Sequence, residues 1–514
     1  MEPNPFLETP YLAWWKPMNL VAFLPGALLT ALIINTTIAA IYNLYFHPLH
    51  HIPGPKLWII FPILRHIACM RGKFDVHIRK FHAQYGPVVR WQANSITFTT
   101  AQAWKDIYGH GHPELPKTSA PVSLQKAPLI ITANAADHFR YRRALLPAFS
   151  ESALRRQEPL VKVYVDLLIN KLRGLAASDS KADMVKWYNL TTFDVIGDLA
   201  FGESFHGLRD EKTHAGIESI EKMMKFFPIL GASLAYPFFA KPLMFLVSSR
   251  IKEASQKHID SAKTLTMRRL NNESLHGRGD FMDHMMRSRG QRHGLSDDEL
   301  ASNADILIVA GSETTATLLS GVTYWLLRTP RALAKVTHEV RSSFNGEDEI
   351  NFLNSTARLP YMLACLDEAL RKYPPVPTVL PRFTLPGPST PIDGYLVPGG
   401  TSVGVHQSAA YWSPLNFHLP QSFVPERWLP ESTTNPSSPF YNDNREVVKP
   451  FSFGPRDCVG RVLAYTEMRL ILARVLWNFD LELCEESSKW DEQRSFALWE
   501  KPPLWCHLKV RDGF

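Results

Sequence analysis

The sequence predicts a mainly α fold with a small β region, preceded by one N-terminal transmembrane helix. Three observations lead there. No Asp, Glu, Lys or Arg occurs from Leu20 to Phe46. Past residue 57 the apolar residues recur with helical spacing. A strand-like stretch punctuated by Gly and Pro runs from Arg382 to Val405, followed by a mostly irregular region from Leu415 to Phe453. Length alone permits one to three domains in 514 residues. No internal repeat divides them, and no GxGxxG strand-turn-helix unit marks a fused nicotinamide or flavin domain.

Residues 1–19 form a short leader. It carries Glu2 and Glu8 with only Lys16, a poor match to the basic start of a cleaved signal. Residues 20–46 are long enough to cross a bilayer: about 40 Å as a helix against roughly 30 Å of hydrocarbon. A buried globular helix is the alternative reading, and it rarely runs so far without charge. Pro25-Gly26 and Asn35-Thr36-Thr37 weaken the span without breaking it, since helix-internal polar groups can be satisfied locally. Lys56, Arg65, Arg71, Lys73, Arg79 and Lys80 follow the span, so the positive-inside rule puts the leader in the lumen and the rest in the cytosol. Residues 47–56 include His47-Pro48 and Pro53-Gly54-Pro55; proline disfavours helix there and makes a stiff linker. Residues 57–514 form the remaining unit.

The net charge of +7 suits an anionic membrane surface or an acidic partner protein. Basic residues are scattered and no nucleic-acid motif accompanies them, so nucleic acid is not expected as a partner. Five cysteines without CxxC spacing indicate neither a disulfide framework nor a zinc site, in keeping with a reducing compartment. The sequons at Asn35, Asn189, Asn272 and Asn354 are of a kind that arises by chance.

The sharpest chemistry lies in Phe451-Ser-Phe-Gly-Pro-Arg-Asp-Cys-Val-Gly460, which leads into a helical pattern. Cys458 then sits at a helix start, where free N–H groups and the positive helix end favour a thiolate. Gly454 and Gly460 let backbone approach a flat partner, Phe451 shields the sulfur, and Arg456 meets a carboxylate. Upstream, Glu368 and Arg371 share one helix face at i,i+3 spacing, and Leu363, Leu366 and Leu370 argue for a buried pair. A longer helix is expected from Ser296 to Thr329, opened by the capping box Ser296-Asp-Asp-Glu299 and stopped by Pro330. At its apolar centre stands Ala310-Gly311-Ser312-Glu313-Thr314-Thr315. These polar groups are expected to weaken the helix locally and open a groove for dioxygen and water.

Together these motifs resemble those of the cytochrome P450 family. FSFGPRDCVG matches its haem signature FxxGxRxCxG, Glu368-Ala-Leu-Arg371 its ExxR and Ala310–Thr315 its [AG]Gx[DE]T[TS], in family order. The resemblance implies the cytochrome P450 fold and haem b ligated through iron by Cys458, with Ala310 and Gly311 beside the cofactor. Arg427, from Pro425-Glu-Arg-Trp428, completes a Glu-Arg-Arg network that holds the scaffold without reacting. It also implies that Thr314 bonds the bound oxygen and Glu313 relays protons from solvent. Asp137–Ser150 resembles the WxxxR helix that grips haem propionates: His138 replaces the usual tryptophan, Arg142 is the expected ligand, and Arg382 is a second.

By the same resemblance the chain is a monooxygenase that inserts one oxygen atom into a lipophilic small molecule, by hydroxylation or epoxidation. Substrate contacts are implied in Leu115–Ile130, Ile306–Ala310, Val376–Val379 and Phe496–Leu498, all mostly apolar. Electrons come from NADPH through a separate NADPH-cytochrome P450 reductase, and the location implied is the endoplasmic reticulum membrane. Phe46-His-Pro-Leu and Tyr85-Gly-Pro-Val-Val-Arg90 resemble fungal members of secondary metabolism, terpenoid or polyketide. Phe226–Val247 reads either as a membrane-dipping segment or as core packing. The alternative functions are a haem-thiolate isomerase, dehydratase or peroxygenase, and a non-enzymatic haem-binding membrane protein. The first is disfavoured by the intact Glu313-Thr314 pair, the second by the presence of Cys458, Glu368 and Thr314 together.

Overall fold

The computed structural model describes residues 20–117, 127–213, 215–236, 256, 259–287, 289–291 and 294–511. The leader therefore lies outside the described residues, as do parts of the Leu115–Ile130 and Phe226–Val247 segments.

The apolar run forms an α-helix, Leu20–Ile41, that ends in one wider π turn, Tyr42–Phe46. From Gly26 to Phe46 none of its most apolar window is buried, and its large side chains are mostly exposed. The linker behaves differently. Leu49 and Ile52 are fully or almost fully buried beside Val88, Phe98 and Val405, which makes the Pro-rich segment part of the folded unit. Arg90 fastens the two together. Its buried guanidinium donates to the Asn43 carbonyl of the π turn at 2.8 Å and to the Ala93 carbonyl at 3.0 and 2.8 Å. Its N–H bonds Pro53 O at 2.9 Å, and a Cβ on Gly54 would lie 1.8 Å from its carbonyl oxygen, so only glycine allows this contact.

The strands are β1 (Val88–Gln92), β2 (Ser95–Phe98), β3 (Ala182–Asp183), β4 (Arg382–Phe383), β5 (Thr390–Ile392), β6 (Tyr395–Val397), β7 (Ser402–Val405), β8 (Phe479–Leu483), β9 (Arg494–Phe496), β10 (Leu498–Glu500) and β11 (Trp505–Val510). The largest sheet has the order β1-β2-β7-β4, joining the chain start to the Arg382–Val405 stretch through the parallel pair β2 and β7. A second sheet has the order β3-β11-β8, and β9-β10 and β5-β6 are separate hairpins.

Helices make the rest. The longest, Asp297–Leu327, begins at the Ser296 capping box: Ser296 Oγ accepts from Glu299 N and Glu299 accepts from Ser296 N. It is apolar enough to pass for a second membrane span, but 72% of that window is buried, which makes it a core helix. Around it pack Met184–Phe201, in which every residue but Lys186 is buried, Pro360–Lys372, and Arg461–Asn478, the helix that follows Cys458.

Candidate haem-thiolate site

Cys458 lies in a turn, three residues before the helix Arg461–Asn478 whose N-cap is Gly460. Its N–H donates to Phe451 O at 2.8 Å and closes the signature into a loop, while the Phe451 ring packs on Tyr465 at 5.3 Å. Gly454 has φ 79°, and a Cβ there would sit 1.7 Å from Tyr108 O, so no side chain fits. Cys458 is surrounded by protein and yet exposed, so it borders space that the polypeptide leaves open. The sequence expectation of a thiol acidified by a helix start needs correction here. Burial pushes the Cys458 thiol up, outweighing the N–H that Gly460 donates to the sulfur and the nearby Arg142 and Arg461 charges. A cation bound at the sulfur would favour the thiolate, and haem iron held by Cys458 would supply that charge.

The helix Asp297–Leu327 runs unbroken through Ala310–Thr315. Two hydroxyls of the motif bond back to it: Thr314 Oγ1 donates to Ala310 O at 2.6 Å and Ser312 Oγ to Ile308 O at 2.7 Å. An opening exists beside the helix. Ala310 is exposed and Thr314 half-buried although the helix around them is core. Gly311, half-buried beside it, also serves close packing: a Cβ there would lie 2.7 Å from Ile196 of the helix Met184–Phe201. Glu313, 7% exposed, points elsewhere and is held by Lys501.

A cluster of cations gathers around His138. Burial, then the charges of Arg456, Lys117, Arg142 and Arg382, push the His138 imidazole down to about 4, and burial with Arg382 and Arg456 pushes Lys117 down to about 7. The expected ligands are partly committed. Arg142 meets the Asp457 carboxylate and donates to Asp457 O at 2.6 Å; Arg456 meets the Glu114 carboxylate and donates to Ala133 O at 2.9 Å. Arg382 lies over the Tyr108 ring at 5.2 Å. Among the described residues, four cations against two carboxylates leave up to two positive charges without an anion. That surplus fits the two propionates of haem, and the open thiol fits its iron. Lys117 was missed in the sequence because it stands in an irregular segment with no motif.

Glu368, Arg371 and Arg427 are all fully buried and do form one network. Arg371 donates to the Glu368 carboxylate at 2.9 and 2.7 Å, and Arg427 Nε lies 3.2 Å from the same group. Trp428 Nε1 and Val424 N donate to it at 2.9 Å each. Arg371 also donates to the carbonyls of Tyr411, Pro420 and Ser422, tying the irregular region before the signature to the helix Pro360–Lys372. Asp443, which carries no motif, pairs with Arg427 and makes the buried set neutral, as buried charge requires.

The fold and this site define a haem-thiolate protein of mostly helical architecture. The cytochrome P450 family model matches residues 52–507, and the chain belongs to that family of haem-dependent monooxygenases. It is 53% identical to the trichothecene C-4 hydroxylase of Trichoderma arundinaceum over 94% of this chain and 96% of that protein. It is 51% identical to the cytochrome P450 monooxygenase olcB of Penicillium canescens, over 94% and 98%. It is 46% identical to the monooxygenase dtxS2 of Metarhizium robertsii, over 92% of each.

Proposed function

We propose that this enzyme hydroxylates a lipophilic secondary metabolite, using Cys458 to ligate haem, Thr314 and Glu313 to handle protons, and the cations around His138 to hold the propionates. The observation that carries this is the exposure of Cys458 and Ala310 within an otherwise packed interior. Haem, when bound, supplies the activation of dioxygen. The protein supplies the rest. The Thr314 hydroxyl, with its hydrogen on Ala310 O, keeps its lone pairs free to accept, and the residue is half-buried one turn from exposed Ala310. Phe496, Leu498, Ile220 and Met224 form the apolar part of the lining of a small cleft that Glu313 also borders.

The name of the Trichoderma relative supports hydroxylation over epoxidation and makes a trichothecene skeleton the first substrate to screen. Electrons would come from NADPH through NADPH-cytochrome P450 reductase. The exposed apolar run Gly26–Phe46 supports a single-pass anchor, with the endoplasmic reticulum as its membrane, residues 1–19 lumenal and residues 57–514 cytosolic as the catalytic domain. The deciding experiment is spectroscopic. The reduced protein with carbon monoxide should give the red-shifted Soret band of a thiolate ligand, and Cys458→Ala should lose it. An unchanged band in the variant would reject the ligand. With reductase and NADPH, labelled dioxygen should enter the product; product without label would favour an isomerase or dehydratase.

A further inference from the structure

Neighbouring residues leave a helix about 100° apart, so Glu313 turns away from the side that Thr314 faces and towards the β9-β10 hairpin. There Lys501 pairs with its carboxylate and donates to Thr317 Oγ1 at 2.7 Å. The Lys501 side chain is 3% exposed, and no other cation pairs with Glu313 among the described residues. Glu313 and Lys501 form one wall of a cavity of about 40 Å³, which Ile220, Met224, Phe496 and Trp499 help enclose and which is large enough for water. Its outer rim carries a second set of charges. Glu500 pairs with Lys225 at 2.5 Å and with Arg494 at 2.5 Å, and both cations reach solvent. Polar groups thus run from the surface, through a water-sized space, to a carboxylate one residue from Thr314.

We propose that Lys501 is a positioning residue for proton supply, holding the Glu313 carboxylate at the inner wall of this cavity, from which a side-chain rotation brings it to the Thr314 hydroxyl. This rests on the reading of Glu313 and Thr314 as the proton path. One proton would pass from a cavity water to the carboxylate and on to the Thr314 oxygen, while that hydroxyl passes its own hydrogen, as a proton, to the reduced dioxygen beside it. Solvent restores the water, and no electron is gained or lost. Unpaired, a carboxylate this buried would be costly and would relocate; the ammonium keeps it in reach of water.

The test needs no identified substrate. The full-length, haem-loaded enzyme is supplied with reductase and NADPH, and the share of NADPH recovered as hydrogen peroxide is measured, because reduced dioxygen that takes up its two protons without directed delivery leaves as peroxide instead of yielding product and water. Lys501→Met should raise that share several-fold, Lys501→Arg should restore it, and Lys501→Met should add nothing in a Glu313→Gln background. Thermal unfolding should show the ion pair independently of turnover: each single variant lowers the unfolding temperature by a few degrees, and the double variant recovers most of it. An unaltered share in Lys501→Met, with Glu313→Gln raised, overturns the role of Lys501 and leaves that of Glu313. An unaltered share in Glu313→Gln overturns both. Equal effects of Lys501→Met in the two backgrounds, or additive unfolding shifts, also overturn the proposal. Should Lys501→Met fail to fold, the double variant, which buries no unpaired charge, is compared with Glu313→Gln alone.

Discussion

Thr314 shows how one hydroxyl can be both satisfied and available. Its hydrogen rests on Ala310 O at 2.6 Å, a bond that needs no other partner and can be exchanged for one to a bound molecule. Thr314→Ala removes that exchange while sparing the helix, whose backbone bonds do not depend on it. Product formed per NADPH should fall several-fold, with KM within about twofold, because the alcohol acts in proton transfer and not in binding. Parallel assays of product and NADPH check this, and full coupling would remove Thr314 from the path. The residues legible in the sequence are those embedded in short motifs: Cys458, Glu368, Arg371 and Thr314. Lys501, Asp443 and Lys117 were not legible. Each acquires its partner only through folding, and a lone lysine or aspartate in an irregular segment carries no periodicity to flag it.

At the level of elements, the central helix is fixed by contacts at both its start and its middle. Its capping residue Glu299 does double duty. It accepts from Ser296 N at 2.8 Å and from Arg140 Nη1 at 3.0 Å and Tyr141 at 2.8 Å, linking the helix to Ala135–Leu145, which carries His138 and Arg142. The bond from Arg140 holds the Glu299 carboxyl at about 2, below its ordinary 4.5. A carboxyl lowered on folding stabilises the fold above its unfolded value, and that contribution disappears as pH falls towards the folded one. Stability should therefore drop between about pH 4.5 and pH 2 through this group, and Glu299→Gln should be less stable at neutral pH and flatter across that window. Urea unfolding at several pH values measures it.

In the middle of the same helix, Gly311→Ala should drive a methyl into Ile196 and cost about 1–3 kcal/mol of stability. Adding Ile196→Ala should recover part of the loss, and thermal unfolding of the three variants decides the matter. The capping box and Pro330 made the boundaries of this helix readable from sequence alone. The use of Gly311 was not readable, since a glycine gives the same signal whether it makes room for a ligand or for another helix.

For the molecule as a whole, the apolar run, the helical bulk and the strand region between Arg382 and Val405 were all apparent from composition and spacing. The pairing of β2 with β7, some three hundred positions apart in the chain, was not, because register is set by tertiary contact. The Glu368 network acts at this scale too. It gathers carbonyls from three places in an irregular stretch and so gives a long segment with little secondary structure a defined course. The stiff linker also packs into this body, with Leu49 and Ile52 buried.

The bond from Arg90 to the carbonyl of Asn43 has a mechanical consequence. A catalytic body tethered by a floppy stalk would tumble above a bilayer and present every side in turn. One joined to its stalk at the first strand leans at an angle set by that junction, so breaking the bond with Arg90→Met should loosen the body relative to the helix.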